Sequence, residues 1–288
     1  MSNVVYLNDA IVKETACHLR IQDRGFLYGD GLFETLRVYD RNPFRLDDHV
    51  ARLVNSARYL NIPFHHTSQN LQQIIEQLLI RNNLQNAYVR MTLSRGFGMN
   101  GLIPADIYQP TFLIHTKPLT AYPASFYKTG VSLITSHIRR SATCPISNHK
   151  TLSYLTNYLI KKEAVDQGAH DALILNTENQ ITECAVSNLF LVERNTVITP
   201  SLKANLLPGV TRRVILELCK ENRIHASEEL FGLERVLAAE EVFLTNSLME
   251  VMPVSMINKQ PIGKLVPGIV TTLLHDKYKV LTRILADI

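Results

Sequence analysis

No stretch of this chain limits its fold more than residues 171–200, DALILNTENQITECAVSNLFLVERNTVITP. The short apolar runs ALILN, ITECAV, SNLFLV and TVITP are separated by turn residues such as TENQ and ERN. That rhythm predicts short antiparallel strands. Two residues sit badly in such a sheet: Glu183 and Asn188, in ECAVSNLF, are polar where burial is expected. A buried carboxylate is costly unless it meets a positive partner. No lysine or arginine lies within the ten residues upstream, and Arg194 falls beyond the next strand. The expected partner of Glu183 is therefore something other than a protein group.

The rest of the chain divides around a weakly patterned segment. Ahead of it, VVYLN and the residues around ETLRVYD read as strands, LDDHVARLVNSARYL and LQQIIEQLLIRNN as amphipathic helices, and AYVRMTLSRG and TFLIHTKPL as strands. In the first helix Val50, Leu53, Val54, Ala57 and Leu60 recur at helical spacing, and Asp47 or Asp48 offers an N-cap. YPASFYKTG contains Pro and Gly and has no period, so a linker is expected there. Beyond it, VSLITSHI reads as a strand and LSYLTNYLIKKEAVDQG as a helix ended by Gly168. LLPGVTRRVILELCKEN is a turn entering a helix, ERVLAAE is helical, EVFLTNS is a strand, and PGIVTTLLHDKYKVLTRIL closes as a helix. The pattern predicts an α+β chain: a small N-terminal domain at 1–119, an interdomain linker at 120–129, and a larger domain at 130–288 with mostly antiparallel sheet.

Charge and cysteine usage narrow the function classes. A net charge of +4 is too mild and too scattered for nucleic acid, and no run of four Lys/Arg occurs. It still suits an anionic small molecule. The four cysteines, at 17, 144, 184 and 219, form no CxxC pair, so neither a metal site nor a disulfide framework is expected. MSNVVYLNDA lacks a signal pattern, and no apolar run approaches the ~20 residues of a membrane span. The expectation is a cytoplasmic protein that binds neither membrane nor nucleic acid.

Four local features carry chemistry. SNHKTLSYL places Lys150 between a polar turn and an apolar helix. Such a lysine is ordinarily solvated; a buried one loses basicity and can form an imine. LLPGVTRR sets Gly209, Val210 and Thr211 at the mouth of a helix. Open N–H groups and the helix dipole make an anion site there, the plain alternative being an N-cap at Thr211. FLTNSLMEVMPV ends a strand with Thr245, Asn246 and Ser247, which suit phosphate oxygens or simply a turn. His49 and Arg52 lie one helical turn apart, and Arg52 is either a solvated charge or a phosphate clamp. GxxxxGK[ST], HExxH and GxSxG are absent, and the ten histidines lack metal spacing. An imine-forming lysine, several phosphate donors and a carboxylate in need of a buried cation together describe a pyridoxal phosphate site. The protonated pyridine nitrogen would be the cation, held by Glu183.

The runs ECAVSNLF, VIT at 197–199 and LPGVTR at 207–212 resemble the signature of the class IV aminotransferase family, the fold-type IV group of pyridoxal phosphate enzymes. YGDGLFETLRVYD, FRLDDHVARL and HKTLSYLTN extend the resemblance over nearly the whole chain. It implies a two-domain fold and a homodimer acting on a small-molecule amine. It implies that Lys150 is the Schiff-base lysine and that Glu183 pairs with the pyridine nitrogen. Arg52, Val210, Thr211, Asn246 and Ser247 would bind the cofactor phosphate, while Tyr154 and Asn188 would line the site.

Within the family, SRGFGMNGL lacks the RxH of D-amino acid aminotransferases, and YVRMTL lacks the proline of the branched-chain YIRPL. SRGxGxxG and LMEVMPV resemble 4-amino-4-deoxychorismate lyases, although HKTLSYL lacks the KHLNR of one lyase subgroup and LLPGVTR suits transaminases equally. The expected reaction is elimination of pyruvate to give 4-aminobenzoate. The alternative is transamination of D-amino or branched-chain acids, and a remote one is a non-catalytic pyridoxal phosphate-binding protein. Substrate contacts are expected from Phe33, Arg37, Tyr88, Arg95 and the 96–101 loop; Arg95 either meets a substrate carboxylate or is a solvated or structural arginine.

Overall fold

Period-two alternation builds the first sheet. The computed structural model describes residues 3–97, 101–103 and 109–284. The chain opens with β1 (Val4–Leu7), β2 (Ala10–Lys13), α1 (Arg24–Tyr28), β3 (Gly31–Tyr39) and β4 (Asn42–Pro43). There follow α2 (Leu46–Tyr59), α3 (Ser68–Arg81), β5 (Ala87–Phe97) and β6 (Gln109–Pro118). The six strands make an antiparallel sheet in the order β2-β1-β6-β5-β3-β4. Leu32, Leu36 and Val38 of β3 share a core with Val89, Met91 and Leu93 of β5. Leu46, Val50 and Leu53 of α2 and Leu71, Ile75 and Leu78 of α3 complete that core. Each such side chain stabilises the fold by about 1.5–3 kcal/mol.

The intervening residues Phe33, Thr35 and Arg37 alternate onto the other face, opposite Thr92, Arg90 and Tyr88 of β5. Leu113, His115 and Lys117 of β6 continue that row. Neither Asp47 nor Asp48 caps α2. The N-cap is Arg45, in the left-handed region, and the two aspartates lie in the first helical turn, where they complement the dipole.

The second sheet is larger and mixed. Its elements are α4 (Ala124–Thr129), β7 (Val131–Thr135), α5 (Leu155–Asp166), β8 (Asp171–Leu175), β9 (Ile181–Cys184), β10 (Asn188–Glu193) and β11 (Thr196–Pro200). These are followed by α6 (Val210–Glu221), β12 (Ala226–Glu229), α7 (Leu233–Leu237), β13 (Glu241–Asn246), β14 (Glu250–Ile257), β15 (Gln260–Pro261) and α8 (Ile269–Ile284). The strand order is β12-β11-β10-β13-β14-β7-β8-β9, with β15 on β14. The pairs β11/β12, β7/β14 and β7/β8 are parallel and the others antiparallel. Leu173, Leu189, Leu191, Ile198, Leu244 and Met252 belong to its core.

Two units result. One comprises the residues up to Thr120, His149–Tyr154 and the chain from Thr282; the other comprises Ala121–Asn148 and Leu155–Leu281. Within the expected linker, Ala124–Thr129 is helix α4 and belongs to the second unit. His149–Tyr154, which the sequence places in the large domain, groups with the first unit instead. Among the described residues the four cysteines are free, no His/Cys/Asp/Glu group is arranged to hold a metal, and no helix is long and apolar enough to cross a membrane.

Candidate active-site clusters

In the first unit, Lys150 is not at a helix start as its sequence context suggested. It lies in an extended segment joined to the beginning of β3. Phe33 N donates to Lys150 O at 2.9 Å, Leu152 N donates to Gly31 O at 2.9 Å, and Thr151 bridges Leu32. Lys150 Nζ is 4.3 Å from the centre of the Phe33 ring and 5.7 Å from that of Tyr154. The two rings meet edge to face at 5.2 Å. Arg90 approaches the same Phe33 ring, its Cζ 3.8 Å from the centroid. A ring quadrupole attracts both cations.

Arg90 was absent from the sequence expectations. It is half-buried, and its guanidinium makes no hydrogen bond or ion pair among the described residues. The signal that marks it is alternation: Arg90 is two residues from Tyr88, so both lie on the sheet face that carries Phe33 and Arg37. His115 lies opposite Arg90, and burial, followed by Lys117 and Arg90, holds its imidazole below the ordinary value. Arg37 sits with its Cζ 4.4 Å above the Tyr39 ring, and Tyr88 lies opposite it, 5.8 Å from the His115 ring.

Of the roles open to Arg95, the structural one is seen among the described residues. Arg95 donates to Asp30 at 2.7 Å, to Leu60 O at 2.9 Å and to Asn61 O at 3.1 Å. Asp30 also takes Arg24 Nε at 2.8 Å. Of the 96–101 loop, residues 98–100 lie outside the described residues.

Arg52 is held by Glu34. Nε donates to one carboxylate oxygen at 2.8 Å and Nη2 to the other at 2.6 Å, while His49 Nδ1 meets Glu34 at 2.7 Å. Glu34 is 1% exposed. Burial raises its carboxyl pKa, but Arg52 and then His49 outweigh this and hold it at about 2. Burial likewise holds His49 below the ordinary imidazole value, against the pull of Glu34.

In the second unit, Glu183 has a protein partner after all. Its Oε1 accepts from Arg140 Nη1, and its Oε2 accepts from Asn188 Nδ2 at 3.1 Å. Arg140 is placed by backbone bonds next to β8: its N donates to Leu175 O at 2.9 Å, and Thr177 N donates to its O at 2.9 Å. A partner 43 residues away leaves no local trace in sequence. Asn188 also donates to Leu207 O at 3.0 Å, so it ties Glu183 to the LPG turn. A Cβ on Gly209 would lie 1.9 Å from Asn188 Oδ1, so only glycine allows that approach.

Helix α6 opens at this turn. Its N-cap is Gly209, not Thr211, and no side chain caps it. Helical bonding starts with Arg213 N donating to Gly209 O at 3.1 Å. The N–H groups of Val210, Thr211 and Arg212 therefore stand at the open, positive end of the helix. On the turn after β13, the Asn246 side chain serves the protein. Its Oδ1 accepts from Leu248 N and Met249 N at 2.9 and 2.8 Å, and its Nδ2 donates to Val186 O at 3.2 Å. Ser247 follows, half-buried, within the turn.

Known proteins resemble the chain along its length. A protein provisionally named a branched-chain-amino-acid aminotransferase, from Methanocaldococcus jannaschii, is 33% identical over 96% of this chain and 95% of its own. The D-alanine aminotransferase of Bacillus licheniformis is 31% identical over 93% of each chain. The aminodeoxychorismate lyase of Bacillus subtilis is 31% identical over 96% of this chain and 94% of its own. The Escherichia coli branched-chain amino acid aminotransferase superposes with a TM-score of 0.93 at 27% identity, covering 98% of this chain and 95% of its own. A Legionella pneumophila protein provisionally named a 4-amino-4-deoxychorismate lyase does so at 0.85, with 31% identity over 93% of this chain and 96% of its own. The fold is thus the α+β fold-type IV arrangement. The family model for class IV amino-transferases matches residues 31–257, and the chain is an enzyme of that family.

Proposed function

We propose that this enzyme uses pyridoxal 5′-phosphate to eliminate pyruvate from 4-amino-4-deoxychorismate. The observation that carries the reading is Lys150 Nζ against the Phe33 ring, on which the guanidinium of Arg90 also rests. An amine nucleophile beside an arginine with no acid partner among the described residues suits an amine substrate that carries a carboxylate. Arg37 and Lys117 extend positive charge along the same sheet face, which favours a substrate with two carboxylates.

The residues present fit the cofactor. The open end of α6, with the Thr211 hydroxyl, suits a phosphate, and Ser247 adds a second hydroxyl. Arg52, fixed by Glu34, is a guanidinium held in one orientation. Glu183, steadied by Arg140 and Asn188, is a carboxylate suited to face a protonated ring nitrogen. Asn188 acts through Glu183 as a positioning residue. When bound, pyridoxal phosphate supplies an electron sink for the pair left on the amine-bearing carbon. Lys150 would supply the amine that holds the cofactor and, once the substrate's own amine has displaced it, would take the proton from that carbon. Arg90 orients the substrate carboxylate, and Phe33 and Tyr154 exclude water from the lysine amine. The family resemblance implies a homodimer acting on small amines.

The pyruvate-eliminating reading draws on the SRGFGMNGL and LMEVMPV stretches and on the 31% identity to the Bacillus subtilis lyase. Transamination is the second reading, favoured by the similarity to the Methanocaldococcus jannaschii and Bacillus licheniformis proteins. One experiment separates them. The purified enzyme, supplied with pyridoxal phosphate, is mixed with 4-amino-4-deoxychorismate, and pyruvate and 4-aminobenzoate are measured. In parallel it is mixed with D-alanine, L-leucine and L-glutamate, and formation of pyridoxamine phosphate is followed. Pyruvate from the first mixture supports elimination. Pyridoxamine phosphate from the second, without pyruvate from the first, overturns it in favour of transamination.

A further inference from the structure

The turn joining β13 to β14 is built against the preference of its own sequence. Asn246 pairs with Glu250 across a three-residue loop, Ser247–Met249. Asn246 Oδ1 accepts from Leu248 N and Met249 N, which folds the loop tightly. Glu250 then adopts φ of +62°. That left-handed position after a three-residue hairpin loop belongs by preference to glycine or asparagine, because a Cβ crowds the carbonyl there. Glutamate at this place needs an account, and residues held in such conformations persist only where their surroundings over-determine them.

Those surroundings form a clamp. The Glu250 side chain is buried, and its Oε2 accepts from His275 Nε2 of α8 at 3.0 Å. The His275 ring stacks on Tyr127 of α4, with centroids 5.2 Å apart and planes 22° apart. Tyr127 Oη in turn donates to Met249 O at 3.1 Å. Two stacked rings from two helices thus hold consecutive residues of one turn, one by its carbonyl and the next by its carboxylate. A buried carboxylate–imidazole bond is worth having only where it fixes something, since apolar packing would fill the space at less desolvation cost.

We infer that Glu250, His275 and Tyr127 are positioning residues that hold the Asn246–Glu250 turn in the shape that presents Ser247 to the cofactor phosphate. The inference rests on the pyridoxal phosphate reading above and assigns these three residues no contact with the cofactor. Substituting Glu250 by glycine relaxes the backbone and removes the clamp, so fold stability and phosphate binding should part company.

The test is equilibrium binding of pyridoxal 5′-phosphate and of pyridoxal, which lacks the phosphate, to the apoenzyme, followed by absorbance. Glu250→Gly should raise Kd for pyridoxal phosphate about tenfold, as for one weakened charge-assisted hydrogen bond, with Kd for pyridoxal within about twofold of wild type. Glu250→Gln keeps an acceptor for His275 and should restore pyridoxal phosphate binding to within about threefold of wild type. Tyr127→Phe, which keeps the ring and removes the hydroxyl that donates to Met249 O, should weaken pyridoxal phosphate alone and serves where Glu250→Gly does not fold. Equal losses for the two compounds, or an unchanged pyridoxal phosphate Kd in a folded variant, overturn the inference. A wild-type protein that binds neither compound overturns the cofactor reading, and the inference falls with it.

Discussion

Arg52 grips Glu34 through both of its oxygens, at 2.8 and 2.6 Å, while His49 meets the same carboxylate from one helical turn away. The carboxyl is held at about 2, well below its ordinary value of 4.5, because the arginine outweighs the penalty of burial. A depressed carboxyl pKa stabilises the fold fully above the unfolded value, and the contribution is lost as pH falls through the folded one. The shift corresponds to about 3 kcal/mol. The urea-unfolding free energy should therefore fall as pH drops below ~4.5, and less so in Glu34→Gln. His49, lowered by burial, takes up protons on unfolding and adds to the acid loss. At pH 7, Glu34→Gln should itself lose about 3 kcal/mol, since Arg52 is left without its counter-charge. Parallel pH profiles in wild type and variant would remove this account.

Lys150→Ala should leave a folded protein that gains no visible absorbance band on addition of pyridoxal phosphate. Turnover should drop by at least about a hundredfold, the usual scale for losing a positioned acid–base group. The visible spectrum decides: a band of wild-type position and intensity in the variant would show that another amine holds the cofactor.

Arg140 and Glu183 should behave as one unit. Arg140→Ala strands a buried carboxylate and should cost about 3 kcal/mol of stability. The double variant Arg140→Ala/Glu183→Gln should recover part of that loss, because the charge left behind is gone. A double-mutant cycle by urea unfolding measures the coupling, and additive losses would mean that the pair contributes nothing of its own.

The two candidate substrate arginines should separate cleanly. Arg90→Gln should lower kcat/KM by about 10²-fold or more with little change in Tm, as expected for a residue that orients the substrate. Arg95→Gln should do the reverse. Its guanidinium joins Asp30 to Leu60 O and Asn61 O, so the variant should lose about 1–3 kcal/mol of stability. Steady-state kinetics and thermal unfolding of the two variants, side by side, provide the comparison. A Tm loss confined to Arg90→Gln would reverse the assignment.

Local pattern carried most of the secondary structure. Alternation in GLFETLRVY and AYVRMTLSRGF, and the helical spacing of Val50, Leu53 and Ala57, are properties of neighbouring residues, and burial on one face turns them into strands and a helix. The family was legible for the same reason: ECAVSNLF and LPGVTR are contiguous runs, and the family model covers both. Helix α4 was not legible, because six residues without an apolar stripe, Ala124–Thr129, still fold as a helix.

The sequence by itself determined which groups are available: a lysine, a carboxylate in a strand, an open helix end after glycine, and an arginine on α2. Partnership was decided only by tertiary structure. Arg140 reaches Glu183 across 43 positions, and His275 reaches Glu250 across 25. Arg95 is claimed by Asp30 while Arg90, five residues earlier, makes no ion pair among the described residues. Which charge meets which is set by strand register and by the packing of distant segments. Those arise from burying whole faces of sheet and helix, and no local run of residues records them.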